Sequence, residues 1–307
     1  MISSRTPAEP LVSVIVIFLN ADRFLDEAVQ SVFAQSYRNW ELLLVDDGST
    51  DGGADRARRI AAAHPDRVKY LTHPRRENRG MSASRNLGLA HAAGPLVALL
   101  DADDVWVPGK LSAQVAVLAR YPEAGMLYGP ASYWHPGEPA RDFIQDIGFT
   151  QETVCPPPAL AAKFLRESAA TPGTGTLLFH RQLAQQVGGF VDDFRGMFED
   201  QAFCFKVALQ APIVASPEPW LRYRQHPDSC CSVAFSSTAH VAARRRYLDW
   251  CAAYLAHANI HDRAVRRALA DERRAVGAVR LGVGRVRRAA GRLLPAPVRT
   301  WLRASAS

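Results

Sequence analysis

The stretch LVSVIVIFLNADRFLDEAVQSVFAQSYRNWELLLVDD, residues 11–47, changes its apolar period twice and so decides the fold. Its first nine residues form an apolar, β-branched run, which predicts a buried strand. The segment DRFLDEAVQSVFAQ then repeats apolar residues at helical spacing, and WELLLVDD returns to a strand pattern. A strand, a helix and a second strand in this order predict a right-handed crossover between parallel strands.

The same alternation continues to about residue 103. DGGADRARRIAAAH and SASRNLGLAHAA have helical spacing, whereas VKYLTH and PLVALLDAD have the composition and length of strands. Strands that alternate with helices predict an α/β fold class, with a Rossmann-like, mainly parallel central sheet flanked by helices on both faces.

Polar side chains follow three of the predicted strands. Asn20 follows the first strand, Asp46 and Asp47 end the second, and a run of carboxylates ends the fourth. Ligands bind beyond the carboxyl ends of the strands in such sheets. We therefore expect these groups to converge on one crevice.

The stretch LVALLDADDVW, residues 96–106, places Asp101, Asp103 and Asp104 directly after an apolar run. Neighbouring carboxylates raise one another's pKa unless a cation or hydrogen-bond donors compensate. Two carboxylates separated by one residue suit Mg²⁺ or Mn²⁺, which prefer oxygen ligands and keep positions open for phosphate oxygens. A solvated acidic turn that caps the next helix fits the same residues. DDGS after the second strand is equally compatible with a capping turn.

Three longer blocks resemble glycosyltransferase family 2, the inverting enzymes with the GT-A fold. They are VSVIVIFLNADRFLDEAVQSVFAQSYRNWELLLVDDGSTDGG, NRGMSASRNLGLAHAAGPLVALLDADD and GGF…FEDQAFCFKVAL, and they occur in the family's order. The resemblance covers roughly residues 11–230. It implies transfer of a sugar from a nucleotide-sugar donor to a hydroxyl acceptor.

The resemblance also implies roles for residues of the nucleotide-binding half. Asp47 is expected to contact the base or ribose, and Asn20 is a further candidate for substrate binding. Asp101 and Asp103 correspond to the family's D-x-D element, which holds a divalent metal, Mn²⁺ or Mg²⁺, and the donor's diphosphate. Arg85 lies where the family lines the nucleotide cleft, although a structural ion pair is an equal alternative.

Two further blocks supply the remaining candidates. FEDQAF matches the family block whose aspartate is the general base, which assigns that role to Asp200 and a supporting role to Glu199. A sugar hydroxyl is a weak nucleophile, and a positioned carboxylate can accept its proton. Without the resemblance, this pair would be an ordinary acidic helix start.

His226 lies where many relatives carry a histidine near the metal, and it is a candidate ligand or a turn residue before proline.

One departure from the family concerns the end of the first strand. The family commonly has Pro, then Thr or a similar residue, then Tyr-Asn, where this chain has Ile17, Phe18, Leu19 and Asn20. The base-side wall is therefore expected to differ, and the motifs identify no particular nucleotide.

The charge of the chain is concentrated in its last part. Residues 241–307 contain 15 Arg, no Lys and four acids, a local net charge of +11 against +7 for the whole chain.

We predict a GT-A domain over 10–235, with a nucleotide-binding half (10–125) and an acceptor half (126–235), followed by a basic helical extension over 236–307. The extension could contact anionic lipid, with an apolar boundary at Leu293, Leu294, Val298, Trp301 and Leu302. It could also be a solvated helical face or pack on its own domain.

The alternatives to a glycosyltransferase are a haloacid-dehalogenase-type phosphohydrolase, with Asp101 as nucleophile, and a nucleic-acid-binding protein that uses the Arg-rich tail. The phosphohydrolase motif normally opens its sheet, whereas four predicted strands lead up to Asp101 here. The tail lacks aromatic platforms, so no specific nucleic acid is expected. The start MISSRTPAEP lacks the features of a secretory signal and no run of about 18 apolar residues occurs, so we expect a cytoplasmic protein. Peripheral contact with the inner membrane face would bring it to a lipid-linked glycan acceptor. The five cysteines are expected to be free thiols.

Overall fold

The computed structural model describes residues 9–229 and 237–279. The strands are β1 (Val12–Phe18), β2 (Trp40–Asp46), β3 (Val68–Thr72), β4 (Leu96–Asp101), β5 (Val105–Trp106), β6 (Met126–Tyr128), β7 (Ala131–Trp134), β8 (Phe143–Ile144), β9 (Val154–Cys155), β10 (Leu178–His180), β11 (Ile213–Ala215) and β12 (Leu221–Arg224). The helices are α1 (Leu25–Phe33), α2 (Gly53–Ala63), α3 (Met81–His91), α4 (Lys110–Arg120), α5 (Ala159–Leu165), α6 (Arg181–Gln186), α7 (Glu199–Gln210), α8 (Ser237–His257) and α9 (Arg263–Val279).

The central sheet has eight strands in the order β3-β2-β1-β4-β10-β6-β11-β9. The first four strands are parallel, and Ile15 of β1 pairs with Leu43 of β2 and with Leu99 of β4. Every residue of β1 and β2 is buried, because helices cover both faces of the sheet. The predicted mainly parallel sheet is confirmed, and all seven elements expected between residues 11 and 103 are present.

Strand β10 changes the direction of the sheet. It runs antiparallel to both β4 and β6, so β4 is the last strand of the parallel block. The carboxyl ends of β1, β2 and β4 therefore lie side by side at one edge, and the polar residues that follow them are neighbours in space.

A second sheet of four short strands, in the order β5-β12-β7-β8, lies beyond β4. Its strands are two to four residues long. Such short strands show no readable period-two pattern, and the sequence predicted no sheet here. They nevertheless decide the shape of the site, because the residues that follow β7 and β12 reach the ends of the parallel strands.

The described part of the predicted basic extension is helical and packs on the domain. Helices α8 and α9 contribute Tyr247, Cys251, Val265 and Leu269 to the main core, where they join side chains of α5 and α7. The arginines of α9 face outward. The predicted domain edge near residue 235 and the predicted apolar boundary at 293–302 lie outside the described residues.

Cys155, Cys204 and Cys251 carry free thiols, whereas Cys230 and Cys231 lie outside the described residues. Within 9–229 and 237–279, no helix is long and apolar enough to cross a membrane.

Candidate active site

A cleft of about 1240 Å³ opens at the carboxyl ends of β1, β2 and β4. One wall consists of the loops after these strands, and the facing wall combines the small sheet with the start of α7. The cleft is lined by all eight residues that the sequence proposed for the site, Asn20, Asp47, Arg85, Asp101, Asp103, Glu199, Asp200 and His226. The structure thus brings the candidates together, and their roles remain predictions.

Asn20 connects the loops after β1 and β2. Its backbone has a φ of 51°, a left-handed conformation that Asn tolerates better than most residues. Its side-chain oxygen accepts hydrogen bonds from the backbone N–H of Thr50 at 2.8 Å and from the Thr50 hydroxyl at 3.2 Å. Ser49 accepts a hydrogen bond from the Asn20 backbone N–H. These contacts fix the two strand ends relative to each other.

Asp47 is buried at the floor of the same wall. Its carboxylate accepts hydrogen bonds from the backbone N–H groups of Arg79, at 2.8 Å, and Gly80, at 3.0 Å. Gly80 precedes α3 and has a φ of 90°, a conformation that suits glycine. Asp47 therefore holds the loop before α3 against the strand ends, and it lines the cleft although it is buried.

Arg85 lies on α3 and is buried, although it lines the cleft. Its Nη2 donates to Asp101 Oδ1 at 2.8 Å, and its Nη1 donates to Glu199 Oε1 at 3.1 Å. These two carboxylates keep the pKa of Arg85 above its ordinary value although burial acts in the opposite direction. The ion pair that the sequence left open is present, and it joins the two walls of the cleft.

Thr174 is a contact of Asp101 that the sequence did not identify. Its hydroxyl donates to Asp101 Oδ2 at 2.8 Å, so both oxygens of Asp101 are engaged. Thr174 lies in a single 3₁₀ turn over 174–176, and the buried side chains of Trp106 and Gln114 donate to carbonyl groups of that turn. Thr174 lies in the stretch TPGTGT, residues 171–176, and nothing local in this stretch indicates that it faces Asp101.

Asp103 and His226 are in direct contact. Asp103 Oδ2 and His226 Nε2 are 3.1 Å apart, and burial and the charge of Asp101 raise the pKa of Asp103. The neighbouring Arg224 donates to the Asp103 backbone carbonyl through Nε at 2.7 Å and to the Asp104 carboxylate through its backbone N–H at 2.9 Å. Strand β12 is thereby attached to the turn after β4, and this attachment brings His226 to Asp103.

Asp200 lies in the first turn of α7, two residues after Phe198, whose φ is 72°. Burial and the neighbouring charge of Glu199 raise the pKa of Asp200 to about 7. One carboxylate oxygen accepts the backbone N–H of Gln201 at 2.7 Å. A carboxylate with a pKa near neutrality matches the proton affinity that a general base needs at physiological pH.

The fit of a divalent cation can be judged from the donor set. Asp103 and His226 offer one carboxylate and one imidazole, and in the part of the chain that the structure describes no group of three or more His, Cys, Asp or Glu side chains could hold a metal. Two protein ligands suit a cation that takes its other ligands from substrate oxygens and water. The residues present therefore fit Mg²⁺ or Mn²⁺ bound together with a diphosphate.

The comparison with protein families gives one match. Residues 13–152 match the family described as glycosyl transferase family 2. This segment belongs to that family. It contains the strand ends of the first wall, and the family assignment made from the sequence is confirmed.

Two curated relatives are each similar to about a third of the chain. The putative glycosyltransferase EpsE of Bacillus subtilis is 43% identical over 112 residues, which are 36% of this chain and 40% of EpsE. The Escherichia coli protein named UDP-Glc:alpha-D-GlcNAc-diphosphoundecaprenol beta-1,3-glucosyltransferase WfgD is 34% identical over 110 residues, 36% of this chain and 42% of WfgD. The chain therefore matches less than half the length of either relative.

Solved structures resemble the chain over a longer range. Staphylococcus aureus TarS (residues 1–349, in complex with UDP-GlcNAc) has a TM-score of 0.66 and 18% identity, covering 92% of this chain and 80% of that one. At this identity the likeness concerns the fold, and the predicted GT-A fold is confirmed. The comparisons give no support to the phosphohydrolase or the nucleic-acid-binding alternative.

Proposed function

We propose that the family 2 glycosyltransferase domain transfers a sugar from a nucleoside diphosphate donor to a hydroxyl acceptor with inversion at the anomeric carbon. The observation that carries the proposal is the joint placement of Asp200, Asp101 and Asp103 in one cleft, with Asp200 at a pKa of about 7. The membership of residues 13–152 in the family supports it.

The donor side is the wall formed by the ends of β1, β2 and β4. Asp47 and Asn20 are proposed to face the base and ribose, because they follow β2 and β1, which lie further from β10 than β4 does. Arg85 holds Asp101 and Glu199 in fixed positions, and it adds a buried positive charge to the region proposed for the diphosphate. Hydrogen bonds within the protein already hold Asn20, Asp47 and Asp101 in position, which is expected to lower the entropic cost of binding.

Asp103 and His226 would hold the divalent cation. When bound there, the cation would supply positive charge that offsets the developing charge of the departing diphosphate. The His226 ring also packs at 4.9 Å from the ring of Phe24, which orients the imidazole towards Asp103.

The chemical step needs a base on the acceptor side. Asp200 would accept the proton of the acceptor hydroxyl as its oxygen attacks the anomeric carbon. A bond between that carbon and the acceptor oxygen forms, the bond to the diphosphate oxygen breaks, and the nucleoside diphosphate leaves with the electron pair. A single displacement of this kind inverts the anomeric configuration and requires one base. Glu199 is held beside Asp200 by Arg85, and its proximity contributes to the raised pKa of the base.

The biological setting is proposed from the relatives. WfgD is named for transfer to a diphosphoundecaprenol-linked sugar, and a lipid-linked glycan acceptor is proposed for this chain by analogy. Assembly of a cell-surface or exported polysaccharide from the cytoplasmic side of a membrane is consistent with that acceptor.

The test of the function is thermal unfolding with and without 1 mM UDP, TDP or GDP, each with and without Mn²⁺. A ligand that binds only the native state and is present at a concentration of about 100 times its Kd stabilises that state by about 2.7 kcal/mol. We expect at least one diphosphate to raise the Tm in a Mn²⁺-dependent manner. Asp103→Ala should abolish the metal-dependent part of the shift, whereas Asp66→Ala, at an exposed position outside the cleft, should leave it intact. A metal-dependent shift in Asp103→Ala as large as that of the unmodified chain would remove Asp103 from the site.

Peripheral contact with anionic membrane is proposed on the charge of α9. Its exposed face carries Arg263, Arg266, Arg267, Arg273 and Arg274, and arginines near an anionic surface contribute about 1 kcal/mol each. The apolar face of α9 is buried in the core, so α9 itself provides only the electrostatic part. A truncation near residue 240 would remove core residues, and charge substitution is therefore the appropriate test.

The variant Arg263→Gln/Arg267→Gln should cosediment less with phosphatidylglycerol vesicles than the unmodified chain does. Two lost charges correspond to about 2 kcal/mol, or roughly 30-fold in the partition coefficient. The matched control is Arg59→Gln/Arg75→Gln, which also removes two exposed arginines but in the first part of the chain. Equal binding of both variants and of the unmodified chain would contradict a role for α9. Stronger binding to DNA than to vesicles would support the nucleic-acid-binding alternative.

A further inference from the structure

One face of the small sheet forms an aromatic wall of the cleft. Tyr133 of β7 is aligned with Phe143 of β8 on one side and with Tyr223 of β12 on the other. The rings of Tyr133 and Phe143 are stacked, with centroids 4.5 Å apart and an interplanar angle of 12°. The Tyr223 ring meets Tyr133 edge-on at 5.0 Å. Three aromatic rings therefore form a continuous row across three strands, and all three line the cleft.

The row follows from strand alternation. Along β7 and its extension, Ala131, Tyr133 and His135 line the cleft. The intervening Trp134 lies on the opposite face, where the guanidinium groups of Arg222 and Arg224 cover its ring at 3.8 and 4.2 Å. Successive side chains of a strand point to opposite faces. The sheet therefore presents one apolar, aromatic face to the cleft and a separate cationic face behind it.

Burial distinguishes this row from an ordinary core cluster. Tyr133, Phe143 and Tyr223 are each only half-buried; Tyr133 and Tyr223 pack against the edge of one apolar core, whereas Phe143 belongs to neither core. β8 is the last strand of its sheet, so Phe143 lies at the end of the row. An aromatic surface that is kept partly open within a cleft is typical of a ligand site.

Polar side chains surround the aromatic face. Arg141, Gln145 and Gln225 line the same part of the small sheet, and their side chains supply donors and acceptors. A pyranose ring matches this combination, because one of its faces carries mainly C–H groups while its rim carries hydroxyls. The positively polarised C–H groups are attracted to the electron-rich face of an aromatic ring. Tyr133 and Phe143 cover one face of each other, so the face that the row itself leaves uncovered is the outer face of Phe143, at the end of the row.

The chain position of the row points to the acceptor. Strand β12 carries Tyr223 and leads directly to His226, whereas the strand ends proposed for the base and ribose belong to the other sheet. We propose that Tyr133, Phe143 and Tyr223 form a stacking platform for a sugar ring of the acceptor, so that the acceptor is a glycan and not a simple alcohol. This assignment rests on the proposed glycosyltransferase function and deepens it.

The test uses the full chain and small neutral glycosides. Methyl β-D-glucopyranoside, methyl β-D-galactopyranoside and methyl N-acetyl-β-D-glucosaminide are titrated in saturation-transfer difference NMR, with and without UDP and Mn²⁺. Phe143→Leu and Tyr133→Leu keep an apolar side chain but remove the flat ring. We expect these variants to weaken binding of at least one glycoside by about 5-fold, since an aromatic contact contributes about 0.5–1.5 kcal/mol.

Three control variants separate the platform from general damage. Phe143→Tyr and Tyr133→Phe retain the rings and should bind the glycoside within about twofold of the unmodified chain, a free-energy difference below about 0.5 kcal/mol. Tyr254→Leu removes a half-buried aromatic ring of α8 that does not line the cleft, and it should also bind normally. The Tm shift caused by nucleoside diphosphate is measured on the same proteins as an independent readout of the donor site.

The outcomes separate the platform from the proposed function. Loss of glycoside binding in the Leu variants, with an unchanged nucleotide shift, would support the platform. Unchanged glycoside binding in those variants, or no glycoside signal from the unmodified chain, would overturn the platform while a normal nucleotide shift left the transferase proposal standing. A reduced nucleotide shift in the Leu variants would assign the rings to the donor and would also overturn it. Absence of any nucleotide shift would count against the transferase itself, whatever the glycosides do.

Discussion

The two walls of the cleft are built in different ways. The donor wall takes Asn20, Asp47 and Asp101 from strand ends that follow one another along a single βαβ series. The facing wall takes Thr174, Glu199 and His226 from segments far apart in the chain. The contact between Arg85 and Glu199 joins residues 114 positions apart, and that between Asp103 and His226 joins residues 123 positions apart.

The difference shows which forces position each wall. Backbone ladders between parallel strands fix the donor wall, because its polar residues directly continue buried strands. Side-chain contacts attach the facing wall to it, through Arg85, through Asp103 with His226, and through Arg224 with Asp104. The donor wall should therefore tolerate side-chain changes that displace the facing wall.

The largest expected effect concerns the chemistry of the facing wall. Asp200→Asn keeps the volume of the side chain but cannot accept a proton, so transfer should fall by about 10²- to 10⁴-fold. Nucleotide binding, which we assign to the donor wall, should persist in the thermal-shift assay. The activity of the unmodified enzyme should fall as the pH is lowered through about 7, because protonation removes the base. Near-normal transfer by the variant, once a donor is known, would transfer the role of base to another group.

The next effect tests the contact that joins the walls. Arg85→Met should lower the free energy of unfolding by about 3–5 kcal/mol, because Asp101 and Glu199 would lose their buried partner. Denaturant unfolding measures this loss, and Arg59→Met, at an exposed position of α2, is the control. If the carboxylates cause the loss, adding Glu199→Gln to Arg85→Met should recover part of it. No recovery would mean that Arg85 acts through packing.

A smaller effect should come from α8. Arg244 is buried, donates to the Leu165 carbonyl and lies 5.9 Å from the ring of Phe198, which precedes the candidate base. Arg244→Met should destabilise the protein by about 1–3 kcal/mol, the cost of a lost buried contact to a charged donor. It should also lower kcat, whereas the KM for the donor should change less. Arg245→Met, on the exposed side of the same helix, should change neither quantity. Equal losses of stability and of kcat in both variants would show that α8 contributes only to the general stability of the protein.

The smallest effect is a gain. The pKa of Asp200 is higher in the folded protein than its ordinary value of 3.8, so folding favours the protonated form. The native state binds more protons than the unfolded state between about pH 4 and 7, and the contribution of Asp200 to stability therefore decreases as the pH rises through that window. Asp200→Asn removes the charged form and should raise the Tm at pH 8 by a few degrees, roughly 2–4 °C per kcal/mol. At pH 4 the two proteins should differ little, and the opposite pH trend would contradict the raised pKa.

The first half of the fold could be predicted because its signal is local. Seven strands and helices between residues 11 and 103 each carry their own apolar period, and the polar residues at their ends could be located from that period alone. The site candidates Asp200 and His226 came from family blocks, since nothing in their immediate surroundings distinguishes them from a helix start or a turn. The small sheet was missed because strands of two to four residues carry no period.

The sequence by itself determined that β1, β2 and β4 are parallel, which carboxylates follow them and the family that residues 13–152 match. The tertiary structure decided the partners and the burial of the candidate carboxylates. Asp101 has both oxygens bound by Arg85 and Thr174, whereas Asp200 is buried beside Glu199 and has a raised pKa. An apolar period depends on neighbours within one turn or strand. The environment of a carboxylate depends on every group within a few ångströms, and for Asp101 and Asp103 these groups include Thr174 and His226, which lie 73 and 123 residues away in the chain.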